Sequence, residues 1–176
     1  MTEALHGKIV IAYANPALYV NISNVHQAVA AAVTPKHGAR SRGIIISRPE
    51  AGISGINDIK GKKNMIVSRE SAGGFLSQKL TLREQGIDAE RECRLTEAAN
   101  QRAENVLLSV GVGDVDVGFI SEYALHTADQ YIAPDSITVV AQTALLPNWV
   151  VSLSRKMPQV QKDDILEALL NLGPEA

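Results

Sequence analysis

Residues 59–85, IKGKKNMIVSRESAGGFLSQKLTLREQ, read as an apolar strand that ends in a small-residue turn and opens directly into an amphipathic helix. The strand segment 64–68 stops at Arg69-Glu70. Ser71-Ala72-Gly73-Gly74 then removes side-chain bulk where the helix begins. The first turn of a helix carries N–H donors without intrahelical partners and the positive end of the macrodipole, so a hydroxyl and small residues there suit a negative group. Ser71 is the natural N-cap or ligand hydroxyl. The same residues also fit a plain cap with glycines that let helix pack on strand. The stretch has neither the Lys-Ser/Thr of a nucleotide phosphate loop nor a GxGxxG pattern, so it does not specify a nucleotide.

Upstream, residues 43–47 (GIIIS) are a β-branched strand ending at Arg48-Pro49, followed by a short helix near 56–59 with Gly61 as its stop. Before that, 8–14 (KIVIAYA) read as a buried strand. Asn15-Pro16 supplies an N-cap and a proline at the first helical position, for a helix carrying Ala17, Leu18, Tyr19 and Ile22. A second apolar run, 28–34, ends at Pro35. The polar, basic 35–42 (PKHGARSR) reads as a loop or a crossing between lobes.

Downstream, Phe75, Leu76, Leu80 and either Leu82 or Arg83 mark successive helical turns up to Gly86, and 87–95 is a connection leading to another short strand. Residues 98–110 form a helix with an apolar face at Val106, Leu107 and Val110, ended by Gly111 and Gly113. The strand 114–120 (DVDVGFI) has Gly118 where a backbone or ligand approaches closely. Ser121-Glu122-Tyr123 lies just past that strand's C-terminal end, where open α/β sheets bind ligands. Strands follow at 137–143 and 149–154. Pro158 opens a last helix with Ile165, Leu166, Leu169, Leu170 and Leu172 as its stripe before Gly173-Pro174. Alternating strands and helices predict an α/β fold: three layers, a mostly parallel sheet with helices on both faces.

The 176 residues fit one domain or two small lobes, and 45% apolar with 20% charged residues is globular composition. A net charge of -2 gives no electrostatic reason to expect nucleic acid. Cys93 is the only cysteine, which excludes an internal disulfide and a cysteine-based metal site. His6, His26, His37 and His126 have no ligand spacing and read as surface or capping residues, so neither metal nor cofactor is expected. The first twenty residues or so have no basic segment followed by an unbroken apolar run, the pattern of a signal peptide, and no membrane span. Ser71 has no evident His or Lys partner, Cys93 falls in a connection, and Asp114 and Asp116 flank a strand without a paired acid, so no enzyme is expected.

In series, KIVIAYANPALYV, RGIIISR, INDIKGKKNMIVSRESAGGFLSQKLTLREQGID, VLLSVGVGDVDVGFISEYAL and LPNWVVSLSRKMP resemble the phosphate-, phosphite- and phosphonate-type substrate-binding components of ABC transporters. These are type II periplasmic binding proteins, and the resemblance runs from about Lys8 to Leu172. It implies a chain lacking the start of lobe one. Residues 1–42 would be a remnant of that lobe, 43–142 lobe two, and 143–176 a hinge strand and a C-terminal helix returning to lobe one.

The family's oxyanion-binding cluster falls on Ser71, Ala72 and Gly73, with Gly74 completing the turn. Ala72 and Gly73 replace positions commonly Thr or Ser in phosphonate binders, which leaves backbone N–H groups and one hydroxyl. Tyr19 matches an aromatic of lobe one that can face the ligand or serve the core. Ser121 and Glu122 fall at the rim, and Arg102 is the cation considered for neutralisation. Trp149 could cover the cleft, but it fits better as a hinge-strand residue packing between lobes.

The implied function is a periplasmic or extracytoplasmic solute-binding protein that traps a small polar or anionic ligand for an ABC transporter permease. The alternative is the ligand-sensing domain of a signalling receptor such as a histidine kinase, and an enzyme on this fold ranks below both. The lobe-one remnant should expose a strand edge or apolar patch, favouring a homodimer.

Overall fold

The computed structural model describes residues 2–34, 38–126 and 132–172. Pro35, His37 and the Gly173-Pro174 stop lie outside the described residues. In chain order the elements are α1 (Thr2–Leu5), β1 (Ile11–Ala14), α2 (Pro16–Ile22), β2 (His26–Ala31), β3 (Arg40–Ser41), β4 (Gly43–Ser47), β5 (Lys63–Ile66), α3 (Ser77–Glu84), α4 (Ala89–Glu92), β6 (Arg94–Glu97), α5 (Ala103–Val112), β7 (Val117–Ser121), α6 (Glu122–His126), β8 (Thr138–Gln142), β9 (Leu146–Pro147), β10 (Val150–Ser154) and α7 (Gln159–Leu170). The chain divides into two compact units, one of Met1–Ala39 with Pro147–Ala176 and one of Arg40–Leu146.

The Arg40–Leu146 unit is built on a five-stranded sheet of order β6-β5-β7-β4-β8. β5 pairs parallel with β6 and β7, whereas β4 pairs antiparallel with β7 and β8. β6, β5, β7 and β8 therefore point one way and β4 alone points the other, the mostly parallel sheet expected from the sequence. Strand residues alternate between faces. Ile45, Val117 and Phe119 meet Phe75 and Leu82 on one side, while Ile44, Ile46 and Ile120 meet Val106, Leu107 and Val110 of α5 on the other. Both faces are covered, which gives the three-layer core.

Two glycines set how closely the layers approach. A Cβ on Gly118 would lie 2.7 Å from Val106 and 2.9 Å from Val110, so Gly118 seats α5 against the sheet. The close neighbour foreseen at Gly118 is thus a helix side chain and not a ligand. Gly113 ends α5 with φ +91° rather than Gly111, which stays helical. Arg48 donates to the carbonyls of Val110 at 2.9 Å and Val115 at 3.2 Å, so a cation satisfies the negative end of α5.

The other unit is a three-stranded antiparallel sheet of order β1-β10-β2. Asn15 caps α2 by accepting from the Leu18 N–H at 3.0 Å, with Pro16 at the first helical position. His26, expected at the surface, is buried, its ring nitrogens 3.2 Å from Ser152 Oγ and 3.1 Å from the Ile9 carbonyl. The strand expected to be buried over 8–14 shortens to β1, and Ile11 and Tyr13 on it are 48% and 60% exposed. The α7 stripe is narrower than the spacing implied: Ile165, Leu166 and Leu169 are half-buried, whereas Leu170 and Leu172 are exposed.

Candidate functional site

β5 and β7 are parallel neighbours, so their C-terminal ends lie side by side at one edge of the sheet. β5 leads into the Ser71 turn, and β7 ends at Ser121 and runs into α6 at Glu122. A Cβ built on Gly73 would stand 3.2 Å from Ser121 Cβ, so the two segments touch. The structure thereby brings Ser71, Ala72, Gly73, Gly74, Ser121 and Glu122 into one neighbourhood.

The helix start has an unusual pitch. Ala72–Leu76 form a π-helical turn before α3, and the Ser71 carbonyl accepts from Leu76 N at 2.9 Å. A π turn holds one residue more than an α turn, and such turns often mark functional sites. The buried face of the helix keeps the ordinary three-and-four spacing. Phe75, Gln78 and Leu82 are buried, while Leu80, expected on the apolar face, is 58% exposed.

Ser71 is the N-cap: its Oγ accepts from Gly74 N at 3.1 Å. Among the described residues, the N–H groups of Ala72 and Gly73 have no protein partner. Gly74 is a packing glycine, since a Cβ there would lie 2.5 Å from Val67 Cγ2 and 2.8 Å from Ser71 Oγ. Two N–H donors without a protein partner at a positive helix end, beside the Ser71 hydroxyl, form a cradle of the kind that suits a negative group. Ser121 borders it through its Cβ, while its Oγ accepts from Ala124 N at 3.3 Å.

Glu122, Arg42, Arg69 and Lys79 are engaged in ion pairs. Glu122 is buried, and its carboxylate lies 3.4 Å from Arg42 Nε and 3.9 Å from His126 Nε2. The Arg42 contact is ionic rather than a hydrogen bond, because Nε lacks a hydrogen-bond partner. Arg42 also donates to Gln142 Oε1 at 2.8 Å. The guanidinium of Arg42 offsets the Glu122 charge.

Arg69 pairs with Glu90 at 2.7 Å and Lys79 pairs with the same carboxylate at 2.5 Å, both beside the Phe75 ring. Arg102 precedes α5 and pairs with Glu104 at 3.4 Å; none of its described hydrogen bonds or ion pairs reaches the Ser71 turn. Asn100 and Gln101, just before it, both have φ of 54°, a backbone conformation that favours glycine.

The remaining sequence candidates have local roles. In the other unit, the Tyr19 hydroxyl accepts from Ala28 N at 3.0 Å, and Trp149 lies 5.1 Å from Tyr13, ring to ring. Cys93 is buried, and desolvation pushes its thiol up to about 11. Asp116 accepts from Lys63 N at 2.9 Å at the start of β7. Among the described residues no cluster of three or more His, Cys, Asp or Glu side chains can hold a metal, and no helix is long and apolar enough to cross a membrane.

Gln78 is the residue the sequence reading missed. It is fully buried on α3, where a glutamine would ordinarily face water, and its amide contacts the cradle from behind. The signal was its place between Phe75 and Leu82 on the buried helix face.

No curated protein matches the sequence. Among solved structures, PhnD1 from Prochlorococcus marinus in complex with methylphosphonate matches with TM-score 0.81 and 10% identity, over 99% of this chain and 69% of that one. A Xanthomonas citri protein bound to chloride matches with TM-score 0.81 and 15% identity, over 99% and 68%. A binding component of a Pseudomonas aeruginosa ABC phosphonate transporter matches with TM-score 0.78 and 14% identity, over 98% and 60%. The chain thus spans about two thirds of the length of these relatives. The family model for the phosphonate periplasmic substrate-binding proteins of ABC transporters matches residues 1–176, and the chain belongs to that family.

Proposed function

We propose that this chain is the ligand-binding part of an extracytoplasmic solute-binding protein that delivers a small oxyanion, of the phosphonate or phosphate class, to an ABC transporter permease. The observation that carries the proposal is the pair of unpartnered N–H groups of Ala72 and Gly73 at a helix start, with the Ser71 hydroxyl on one side and Ser121 against Gly73. Membership of the phosphonate-binding family and the fold shared with a methylphosphonate complex support it.

The donors are neutral and the nearby cations are already paired, so affinity comes from oriented N–H groups and hydroxyls rather than a free guanidinium. In this reading Arg40–Leu146 is lobe two and the remaining unit belongs to lobe one. Tyr19 and Arg102 stay proposed ligand contacts of second rank, since each has an intramolecular partner.

A second copy of this chain is a proposed further partner at the exposed Ile11, Tyr13 and Trp149. Isothermal titration with methylphosphonate, inorganic phosphate and a sulfonate tests the ligand class. Saturable binding of the first two over the third supports it, and absence of binding by all three contradicts it.

A further inference from the structure

The terminal Nε2 of Gln78 lies 2.8 Å from the Gly73 carbonyl, 3.0 Å from that of Ile120 and 3.1 Å from that of Ile44. Its Oε1 accepts from Ser77 Oγ at 3.0 Å. Three carbonyl acceptors around one terminal atom identify that atom as the amide nitrogen. Gln78 thereby ties together the end of β7, the start of β4 and the π turn.

The contact with Gly73 has a particular consequence. The Gly73 carbonyl and the Gly74 N–H belong to one peptide group, and a side chain holds each end: Gln78 the carbonyl, Ser71 the N–H. That peptide plane has no freedom to rotate while both bonds stand. Ile120 is the residue before Ser121, so the same amide fixes the strand end against which Gly73 rests. Gly43 makes room for the arrangement, because a Cβ there would lie 2.6 Å from Gln78 Nε2 and 2.4 Å from Ser77 Oγ.

We propose that Gln78 is the positioning residue of the oxyanion cradle: without touching the ligand, its amide holds the Gly73–Gly74 peptide and the Ser121 strand end so that the Ala72 and Gly73 N–H groups stay beside Ser121. This rests on the binding role proposed for that cradle. A donor array fixed before the ligand arrives gives up less freedom on binding, and affinity rises accordingly.

The test combines hydrogen exchange of the unliganded chain, resolved by mass spectrometry, with methylphosphonate titration of the wild type, Gln78→Met and Gln78→Glu. For Gln78→Met the expected result is exchange over 71–76 faster by about tenfold, α5 exchange unchanged and methylphosphonate affinity lower by about tenfold. Gln78→Glu, which keeps one O–H donor when protonated, is expected between the two. Unchanged exchange over 71–76 in a folded Gln78→Met overturns the proposal, and so does an equal loss of protection in α5, which would make Gln78 a general packing residue. If the wild type binds neither methylphosphonate nor phosphate, the ligand reading fails, and the exchange data still decide whether Gln78 fixes the turn.

Discussion

The hydroxyl of Ser71 accepts a hydrogen bond from the Gly74 N–H at 3.1 Å, and this bond decides which donors of the helix start stay open. Gly74 is satisfied by the cap, whereas Ala72 and Gly73 are not. A serine hydroxyl that accepts one bond still has its own hydrogen to donate. In the proposed site, Ser71 can therefore cap the helix and donate to the ligand at once.

Ser71→Ala removes both roles. Stability is expected to fall by about 1 kcal/mol from the lost cap. Methylphosphonate affinity is expected to fall by roughly 1–3 kcal/mol if the hydroxyl donates to a charged oxygen. Urea denaturation and calorimetric titration separate the two, and Ser71→Thr should retain most of each. An affinity unchanged in Ser71→Ala would move the anion away from this turn.

Gly73 and Gly74 should respond differently to an added methyl. At Gly74 it meets Val67 Cγ2 at 2.5 Å, and overpacking of that kind costs about 1–3 kcal/mol. At Gly73 it meets only Ser121 Cβ at 3.2 Å, so Gly73→Ala should melt close to the wild type yet bind methylphosphonate more weakly. Equal loss of stability in both variants would contradict the assignment.

Arg42→Met removes one charged contact of buried Glu122. Arg42 is 24% exposed, so the cost should fall below the 3–5 kcal/mol typical of a fully buried broken pair, at about 1–3 kcal/mol. Chemical denaturation measures it, and a variant as stable as the wild type would show that the pair contributes nothing.

The Cys93 thiol is held neutral, its pKa raised from 9.0 to about 11 chiefly by desolvation and further by Glu92. Native protein should resist iodoacetamide at pH 8, while urea-unfolded protein reacts at the rate of a free thiol. The raised value also gives a sign. The unfolded chain releases this proton first, so stability linked to the thiol is complete below pH 9.0 and is lost as pH rises through about 11. Rapid alkylation of the native chain at pH 8 would refute the burial.

Self-association, if it uses the exposed Ile11, Tyr13 and Trp149, should appear in sedimentation velocity as a concentration-dependent dimer. Tyr13→Glu should return it to the monomer. A monomer at every concentration removes the second copy as a partner.

Much of the fold was legible in the order of elements. GIIIS at 43–47 is β4 residue for residue, and Asn15-Pro16 both caps and opens α2. The cap at Ser71 was equally legible, because capping is local and depends on a hydroxyl next to a helical run. The features that stayed hidden depend on distant partners. Glu122 meets Arg42, Gln78 reaches carbonyls of two strands, and His26 finds Ser152, pairings that exist only after the sheet has formed. The π turn was hidden for another reason: its wider hydrogen bond leaves no mark in residue spacing, and Phe75, Gln78 and Leu82 keep the ordinary three-and-four spacing of a helix face, which leaves Leu80 outside.

The central claim is that the Ala72 and Gly73 N–H groups hold the anion, and an amide-resolved NMR titration of the chain with methylphosphonate tests it most directly. The account predicts saturable shifts largest at Ala72 and Gly73, smaller ones at Ser121, and none at Val106–Val110 on the far face of the sheet. Saturable shifts that leave Ala72 and Gly73 unmoved, or no shifts at millimolar ligand, would contradict it.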